Sequence, residues 1–271
     1  MQFVTTTEGV GRIEGGEIVV LDVPWPDLGA VLWAHESLSD LETAPVRMRR
    51  PIAELTLRPP VVRPGKVWAI GVNYRSHAAE TGREPPSVPL VFIKVTSSVI
   101  ATGEPICLPE VAPDHVDFEG EVAVVIGRRA SSVRAADAWA HVAGITACHD
   151  VTARDVQQST GNFGLAKSFD TFTPLGGSLV TIDEYDDPDD IGLTTFVDGV
   201  MRQNAHTDDL VFGVPALIEY LSKHATLEPG DVISTGTPAG VGMVDGRFLT
   251  AGSEVDIRVE RVLPLVNQVT A

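Results

Sequence analysis

The sequence predicts a mixed, β-rich α+β fold with a small N-terminal α/β domain, residues 1–60, followed by a larger domain, residues 61–271. Three observations support this prediction. Short apolar or alternating runs bounded by Gly, Pro and Asp recur along the chain, which is typical of many short strands. Few stretches have helical spacing. A stiff Pro-rich segment, residues 58–65, separates the two parts.

In the N-terminal part, residues 2–6 and 16–23 alternate or run apolar and predict strands. Residues 27–38 have apolar side chains at helical spacing and predict a helix. None of these 60 residues gathers reactive groups, so we expect the chemistry to lie in the larger part.

The larger part is predicted to be mostly strands. Two stretches predict helices: residues 133–143, and residues 208–223, which follow Thr207 as a cap and which Pro215 should split. The acidic run 183–190 predicts a solvated loop. The predicted strands are 67–72, 90–94, 118–126, 177–181, 193–197, 231–235 and 254–262.

Charge and cysteine content exclude several classes of partner. Twenty basic and 37 acidic side chains give a net charge of −17, which disfavours a nucleic-acid backbone or an anionic membrane surface. Small anionic substrates remain possible, since a bound divalent cation can invert the local field. Cys107 and Cys148 form no disulfide framework, and no apolar run reaches the ~18 residues needed to span a bilayer. We therefore expect a cytoplasmic protein that contacts neither nucleic acid nor membrane.

The most informative segment carries three carboxylates at alternating positions, Asp117, Glu119 and Glu121. A strand has a period of two, so these side chains should share one face. Adjacent buried carboxylates repel unless a cation or a proton lies between them, and oxygen ligands suit Mg²⁺, Mn²⁺ or Ca²⁺ better than zinc. The alternative is an edge strand with a wet acidic face.

A further carboxylate, Asp150, follows a short apolar run and could complete a three-carboxylate site. Asp150 could instead cap the following turn. Arg154 and Asp155, four and five residues further on, could form a structural ion pair.

His77 and Glu80 stand at i, i+3 on a short predicted helix and can reach each other. A carboxylate bound to one imidazole nitrogen makes the other a better general base near neutral pH. The pair could also be an ordinary surface contact. The following residues, 81–86, are expected to form a mobile lid.

Two more segments could bind an anionic substrate. Lys167 lies among small and aromatic residues, where it could hold an oxyanion or simply extend to the surface. The Gly/Thr-rich residues 235–242 could grip a carboxylate through exposed N–H groups and the Thr237 hydroxyl, or form an ordinary glycine turn. Neither a phosphate-binding Walker loop nor a dinucleotide fingerprint is present.

Together these segments resemble the fumarylacetoacetate hydrolase family over roughly residues 66–259. Each motif alone is weak, but their order along the chain is specific. The motifs are Gly71-x-Asn73-Tyr74-x-x-His77-x-x-Glu80, Glu119-x-Glu121, Asp150-Val151-Thr152-Ala153-Arg154-Asp155-x-Gln157, Lys167-Ser168-Phe169-Asp170-Thr171-Phe172-x-Pro174, and Pro229-Gly230-Asp231 with Thr235-Gly236-Thr237-Pro238.

The resemblance implies a β-sandwich-like roll with short helices, and a homodimer. It implies a Mg²⁺ or Mn²⁺ ion held by Glu119, Glu121 and Asp150. His77 and Glu80 would form a catalytic dyad on a lid, with Lys167 as a further catalytic residue. The implied substrate-binding residues are Asn73, Tyr74, Gln157, Gly236 and Thr237.

The family acts on 2-keto and 1,3-diketo acids, and its reactions share an enolate that a metal ion stabilises. We predict first a hydrolase that cleaves a C–C bond in an acylpyruvate-like substrate. The alternative is a decarboxylase or isomerase of 2-keto or enol diacids, such as oxaloacetate or 2-hydroxyhepta-2,4-diene-1,7-dioate. A metal-binding scaffold without activity is a third hypothesis, which the His77–Glu80 pair disfavours. His149, Val95 and Gly177 depart from the family pattern, which leaves the substrate open.

Overall fold

The computed structural model describes residues 1–271 and contains twenty β-strands, six α-helices and six 3-10 helices. The strands are β1 (Gln2–Thr6), β2 (Gly9–Glu14), β3 (Glu17–Leu21), β4 (Val46–Pro51), β5 (Leu57–Arg58), β6 (Val67–Gly71), β7 (Leu90–Lys94), β8 (Val99–Ile100), β9 (Ile106–Cys107), β10 (Val116–Asp117), β11 (Gly120–Ile126), β12 (Val142–His149), β13 (Thr152–Ala153), β14 (Thr173–Pro174), β15 (Leu179–Val180), β16 (Gly192–Val197), β17 (Val200–His206), β18 (Val232–Ser234), β19 (Glu254–Val259) and β20 (Leu265–Thr270).

The helices are short, and none is long and apolar enough to cross a membrane. The α-helices are α1 (Leu28–His35), α2 (Arg75–Glu80), α3 (Arg154–Thr160), α4 (Phe163–Ala166), α5 (Val214–His224) and α6 (Gly242–Asp245). The 3-10 helices are Ser39–Glu42, Ile52–Glu54, Thr96–Ser98, Ala135–His141, Ile182–Glu184 and Thr207–Asp209.

Two sheets form the body of the protein. The larger has eleven strands in the order β4-β3-β2-β1-β15-β12-β11-β18-β6-β7, with β5 also paired to β1. Its neighbours are antiparallel except β18 and β6, which are parallel. The smaller has five strands in the order β17-β16-β19-β20-β9, and the pairs β10-β13 and β14-β8 stand apart. The predicted mixed, β-rich fold is confirmed.

Strand β11 is buried on both faces, which explains its continuous apolar sequence. Val122 and Val124 belong to a cluster of 33 buried residues that includes side chains of the smaller sheet. Ala123 and Val125 belong to a second cluster, of 17, that includes the apolar face of α1. The period of two therefore places Glu119 and Glu121 on the face that Ala123 and Val125 continue.

Several predicted elements differ from the structure. The helix predicted at 133–143 is a shorter 3-10 helix, Ala135–His141, because residues 142–143 belong to β12, which pairs with β11. The helix predicted at 208–223 is in two pieces, the 3-10 helix Thr207–Asp209 and α5, but the break comes before Pro215, which lies in the first turn of α5, where a proline N–H is not needed. Strands β2, β4, β17 and β20 were not predicted.

The N-terminal residues are hydrogen-bonded into the larger sheet. Strand β1 pairs with β15, and α1 packs its buried side chains over the second core cluster. The boundary predicted near residue 60 therefore separates two parts of the sequence that share one sheet. Whether they are separate domains stays a prediction, which a truncation can test.

We expect residues 61–271 alone to fold poorly. Removing α1 and β1–β5 uncovers several core side chains, each worth about 1.5–3 kcal/mol, against a typical net stability of about 5–15 kcal/mol. Thermal melting followed by circular dichroism should show a transition lowered by roughly 10 °C or more, or none. A cooperative transition within a few degrees of the whole chain's would instead establish an independent domain.

Candidate active site and metal centre

Three buried carboxylates meet where β11 and β12 pair. The antiparallel register sets Gly120 opposite His149 and Glu121 opposite Cys148, so Glu119 and Asp150 meet at the open end. The Asp150 N–H donates to the Glu119 carbonyl at 2.9 Å. Carboxylate oxygens of Glu119, Glu121 and Asp150 lie within 4.8 Å of one another. The structure thus brings the predicted metal ligands together.

Two lysine side chains donate hydrogen bonds to this cluster. Lys167 Nζ donates to Glu119 Oε2 and to Asp150 Oδ2, each at 2.6 Å. Lys94 Nζ donates to Asp150 Oδ1 at 2.5 Å and to the carbonyls of Phe172 and Lys167. Both lysines are buried, so the alternative of a surface-directed Lys167 is wrong. Lys94 was not among the predicted site residues, because in sequence it only ends an apolar strand.

Arg154 supplies the third cation. Its guanidinium donates to Asp117 at 2.8 Å, to Glu119 at 2.6 Å and to the Gln157 side-chain carbonyl at 3.0 Å. Asp117 also accepts the N–H groups of Gly242 and Met243. Arg154 does not pair with its neighbour Asp155, so the ion pair considered from the sequence is wrong. Asp117 instead holds the Arg154 guanidinium in place at one side of the site.

Glu121 is the carboxylate that no cation contacts. It accepts the Ser234 hydroxyl at 2.5 Å and the Gly236 N–H at 2.9 Å. Burial, with the carboxylates of Asp150 and Glu119, raises the pKa of Glu121 to about 8. Although burial opposes it, Lys167 and Arg154 lower the pKa of Glu119 to about 2. In the absence of metal, a proton on Glu121 therefore relieves the repulsion.

The cluster fits a hard divalent cation. The four carboxylates Asp117, Glu119, Glu121 and Asp150 exceed the three cations Lys94, Arg154 and Lys167 by one negative charge. The three that converge offer only oxygen ligands, which suit Mg²⁺ or Mn²⁺. A divalent ion can replace the proton on Glu121 and remove the repulsion that burial makes severe.

The predicted dyad forms beside this cluster. His77 Nδ1 lies 2.7 Å from Glu80 Oε1, and Glu80 Oε2 accepts the Gly240 N–H at 2.8 Å. With Glu80 ionised, Nδ1 donates the proton and Nε2 is free to act as a base. Helix α2 is tied down where Ser76 N–H donates to Asp209 at 3.0 Å and Arg75 donates to the Leu210 carbonyl at 2.8 Å.

A narrow cleft runs from His77 of the dyad to Glu119 of the carboxylate cluster, whereas Glu80, Glu121 and Asp150 do not line it. Of the predicted site residues, His77, Glu119, Gln157, Lys167 and Thr237 line it. The sequence did not predict the apolar wall or the other polar residues. These further lining residues are Ile70, Gly71, Val72, Thr81, Arg83, Arg154, Phe163 and Met243.

Asn73 and Tyr74 lie behind the cleft wall and do not line it. The Asn73 amide donates to the carbonyls of Thr235 and Phe212 and accepts the Phe212 N–H, so its hydrogen bonds hold loops together. Tyr74 is fully buried, its hydroxyl has no partner, and burial raises its pKa. The structure thus gives both residues a supporting position where the resemblance implied contact with substrate.

The loop after β18 shapes the cleft through its backbone. Gly236 has a φ of +108°, and a Cβ there would lie 2.8 Å from the Asn73 Cβ, so only glycine fits. Its N–H is used by Glu121 and is not free for a substrate carboxylate.

Thr237 keeps one free donor. Its hydroxyl donates to the Gly120 carbonyl at 3.0 Å and accepts from Gln203 Nε2 at 2.8 Å, while Gln203 Oε1 accepts the Gly120 N–H. The Thr237 backbone N–H has no protein partner. Gln203, which the sequence did not indicate, therefore fixes Thr237 against β11.

The three departures from the family pattern have local explanations. His149 is buried with neither ring nitrogen bonded, and burial lowers its pKa to about 3, so it is neutral. The Val95 N–H donates to the Ser168 hydroxyl at 3.1 Å, a bond that a proline could not make. A Cβ at Gly177 would lie 2.9 Å from the side chain of Leu57, so the N-terminal part restricts this position.

Comparison with known proteins agrees with the fold. The family model described as fumarylacetoacetate (FAA) hydrolase C-terminal matches residues 66–270. The chain belongs to the fumarylacetoacetate hydrolase family. It is 42% identical to bovine oxaloacetate tautomerase FAHD2B, mitochondrial, over 81% of this chain and 71% of the relative. It is 40% identical to oxaloacetate tautomerase YisK of Bacillus subtilis, over 80% and 74%.

Two solved structures share the whole fold. The 2-hydroxyhepta-2,4-diene-1,7-dioate isomerase from Mycobacterium marinum has a TM-score of 0.81 and 33% identity, covering 100% of this chain and 98% of that one. The fumarylacetoacetate hydrolase from Exiguobacterium antarcticum has a TM-score of 0.89 and 31% identity, covering 100% and 99%. Tautomerase, isomerase and hydrolase names thus all occur among the relatives, which supports an enzyme.

The pKa of Glu121 predicts how stability changes with pH when metal is removed. The folded state holds a proton on Glu121 up to about pH 8, whereas an unfolded glutamate loses it near 4.5. The free energy of unfolding should therefore fall as pH rises through this window. In Glu121→Gln this fall should be smaller, by on the order of a few kcal/mol.

Urea denaturation in a chelator at pH 5 to 9 measures this difference. Glu110→Gln, which changes an exposed glutamate without an ion pair, is the matched control and should follow the wild type. Parallel pH profiles for wild type and Glu121→Gln would contradict the raised pKa.

Proposed function

We propose that this protein is a divalent-metal-dependent isomerase that interconverts the keto and enol forms of a 2-oxo diacid of the oxaloacetate type. The observation that carries the proposal is the His77 base, oriented by Glu80 at 2.7 Å, in the same cleft as Glu119, one of the three converging carboxylates. The names of the bovine and Bacillus subtilis relatives support this substrate, and the isomerase from Mycobacterium marinum supports this reaction class.

The residues that hold the ion would be Glu119, Glu121 and Asp150. A bound Mg²⁺ or Mn²⁺ would polarise the 2-keto group and stabilise enolate charge as a Lewis acid. Lys167 spends two of its three N–H donors on Glu119 and Asp150, and the third is available to a substrate oxygen. Gln157 Nε2 and the Thr237 N–H, neither of which has a protein partner, are further donors in the cleft.

The proton transfer is assigned to His77. In the keto-to-enol direction, Nε2 takes a proton from C3 of the substrate, the C2–C3 double bond forms, the C2 oxygen takes a proton from solvent water, and His77 releases its extra proton to solvent. In the reverse direction, His77 takes up a proton from solvent and gives it to C3, and the enol hydroxyl releases its proton to solvent. Between the two proton transfers, Glu80 stabilises the positively charged imidazolium of His77, as a carboxylate partner does for a general base.

Hydrolysis of a C–C bond in an acylpyruvate, our first prediction from sequence, is the second candidate. The same dyad could deprotonate a water that attacks the far carbonyl, and the hydrolase from Exiguobacterium antarcticum supports this reaction. Decarboxylation needs no nucleophile and would use the dyad only to protonate C3. A homodimeric state and a cytoplasmic location stay predictions.

Product analysis separates these reactions. With Mg²⁺ or Mn²⁺ present, we expect the protein to accelerate the loss of enol absorbance from oxaloacetate without breaking a C–C bond. Pyruvate and CO₂ formed above the free-metal background would identify a decarboxylase. Pyruvate and acetate formed from acetylpyruvate would identify the hydrolase. Either result would contradict the isomerase proposal.

Replacing the base tests the enzyme against the inactive scaffold. His77→Ala should lower kcat for oxaloacetate interconversion by about 10²–10⁴-fold, since this is the range that general acid–base catalysis contributes. The content of bound metal should not change, because His77 is not a ligand of the cluster. His224→Ala, on the exposed end of α5, is the control. Unchanged turnover in His77→Ala would rule out the dyad.

A further inference from the structure

We propose that Arg83 is the specificity-determining residue that binds the distal carboxylate of the substrate and so selects dicarboxylates over monocarboxylates. The proposal rests on the proposed function and deepens it. It starts from a contrast among the cations of the cleft, since Arg83, Arg154 and Lys167 all line it.

The other cations are occupied by protein carboxylates. Arg154 is buried against Asp117 and Glu119, and Lys167 is buried against Glu119 and Asp150. The Arg83 guanidinium, by contrast, is exposed at the cleft and makes neither a hydrogen bond nor an ion pair. It is therefore the cleft cation whose full charge is available to a ligand, and the planar group favours a carboxylate bound through two N–H donors.

Backbone hydrogen bonds hold Arg83 next to the end of the helix that carries His77. Helix α2 ends in a paired turn in which Gly82 N–H donates to the Ala79 carbonyl at 3.1 Å and Arg83 N–H donates to the Ala78 carbonyl at 2.8 Å. Gly82 adopts a φ of +65°, as this helix ending requires. The Arg83 backbone is thus held in place next to the helix that carries His77, while its guanidinium is free. A freely moving lid would not provide this arrangement.

Substrate chemistry matches this placement. His77 acts on C3, and in a 2-oxo diacid of this length the second carboxylate is attached to that same carbon. The residue that binds this carboxylate must therefore stand beside the base and away from the metal ligands. Arg83 follows the helix that carries His77, lines the same cleft and contacts none of the three converging carboxylates. A neutral acetyl group, which replaces this carboxylate in acetylpyruvate, gives Arg83 no charge to bind.

The kinetic test compares two substrates of similar shape. Both substrates are followed for keto–enol interconversion. In Arg83→Gln, the ratio of kcat/KM for oxaloacetate to that for acetylpyruvate should fall about 10- to 100-fold, the size expected for a charge-assisted hydrogen-bonded pair. The loss should lie mainly in KM. Arg83→Lys should restore part of the ratio, because the charge remains while the two-pronged geometry is lost. Arg58→Gln, at an exposed arginine outside the cleft, should leave the ratio unchanged.

A binding test does not depend on turnover. Calorimetric titration of the Mg²⁺-loaded protein with malate and with 2-hydroxybutyrate, which has a methyl group in place of the distal carboxylate, should show tighter binding of malate. Arg83→Gln should reduce this preference about 10-fold or more. Equal preference in wild type and Arg83→Gln, or no preference in wild type, would overturn the proposal. An Arg83-dependent preference without interconversion of oxaloacetate would overturn the proposed function and leave the role of Arg83 standing.

Discussion

The burial of several carboxylates at one end of β11 and β12 is the constraint on which the rest of the structure depends. Ionised groups removed from water cost several kcal/mol each unless they are paired and hydrogen-bonded. The fold meets this demand with cations drawn from three separate segments, Lys94 at the end of β7, Arg154 at the start of α3 and Lys167 after α4. Glu121 is left with neutral donors only, and that imbalance leaves an excess negative charge that suits a divalent cation.

The same constraint decides what the cleft offers a substrate. Because Arg154 and Lys167 are committed to the protein's own carboxylates, few charged groups remain free to select a ligand. The loop after β18 serves both sides of the site: Gly236 N–H binds Glu121 and Gly240 N–H binds Glu80. One loop therefore holds both the predicted metal ligands and the dyad in place. A small substrate held between them would contact His77 from α2 and Arg83 from the turn that ends α2.

Periodicity and short motifs in the sequence located most of the central strands and the His77–Glu80 pair, and the family resemblance implied the three carboxylates. β1 and β7 have their predicted bounds, and Glu119, Glu121 and Asp150 converge as expected. Lys94, Arg83 and Gln203 escaped notice, since Lys94 and Gln203 bind residues more than 50 positions away and Arg83 is notable for the absence of a partner. The resemblance implied that Asn73 binds substrate. The sequence could not show that hydrogen bonds with the distant residues Thr235 and Phe212 occupy its amide.

The most direct test of the central claim is to count bound Mn²⁺ by electron paramagnetic resonance, near pH 7, in the wild type and in Glu119→Gln. The account predicts one ion per chain in the wild type, taken up with release of a proton because metal displaces the one on Glu121. It predicts much weaker binding in the variant. Absence of stoichiometric binding in the wild type, or equal binding in both proteins, would contradict a metal centre at these carboxylates.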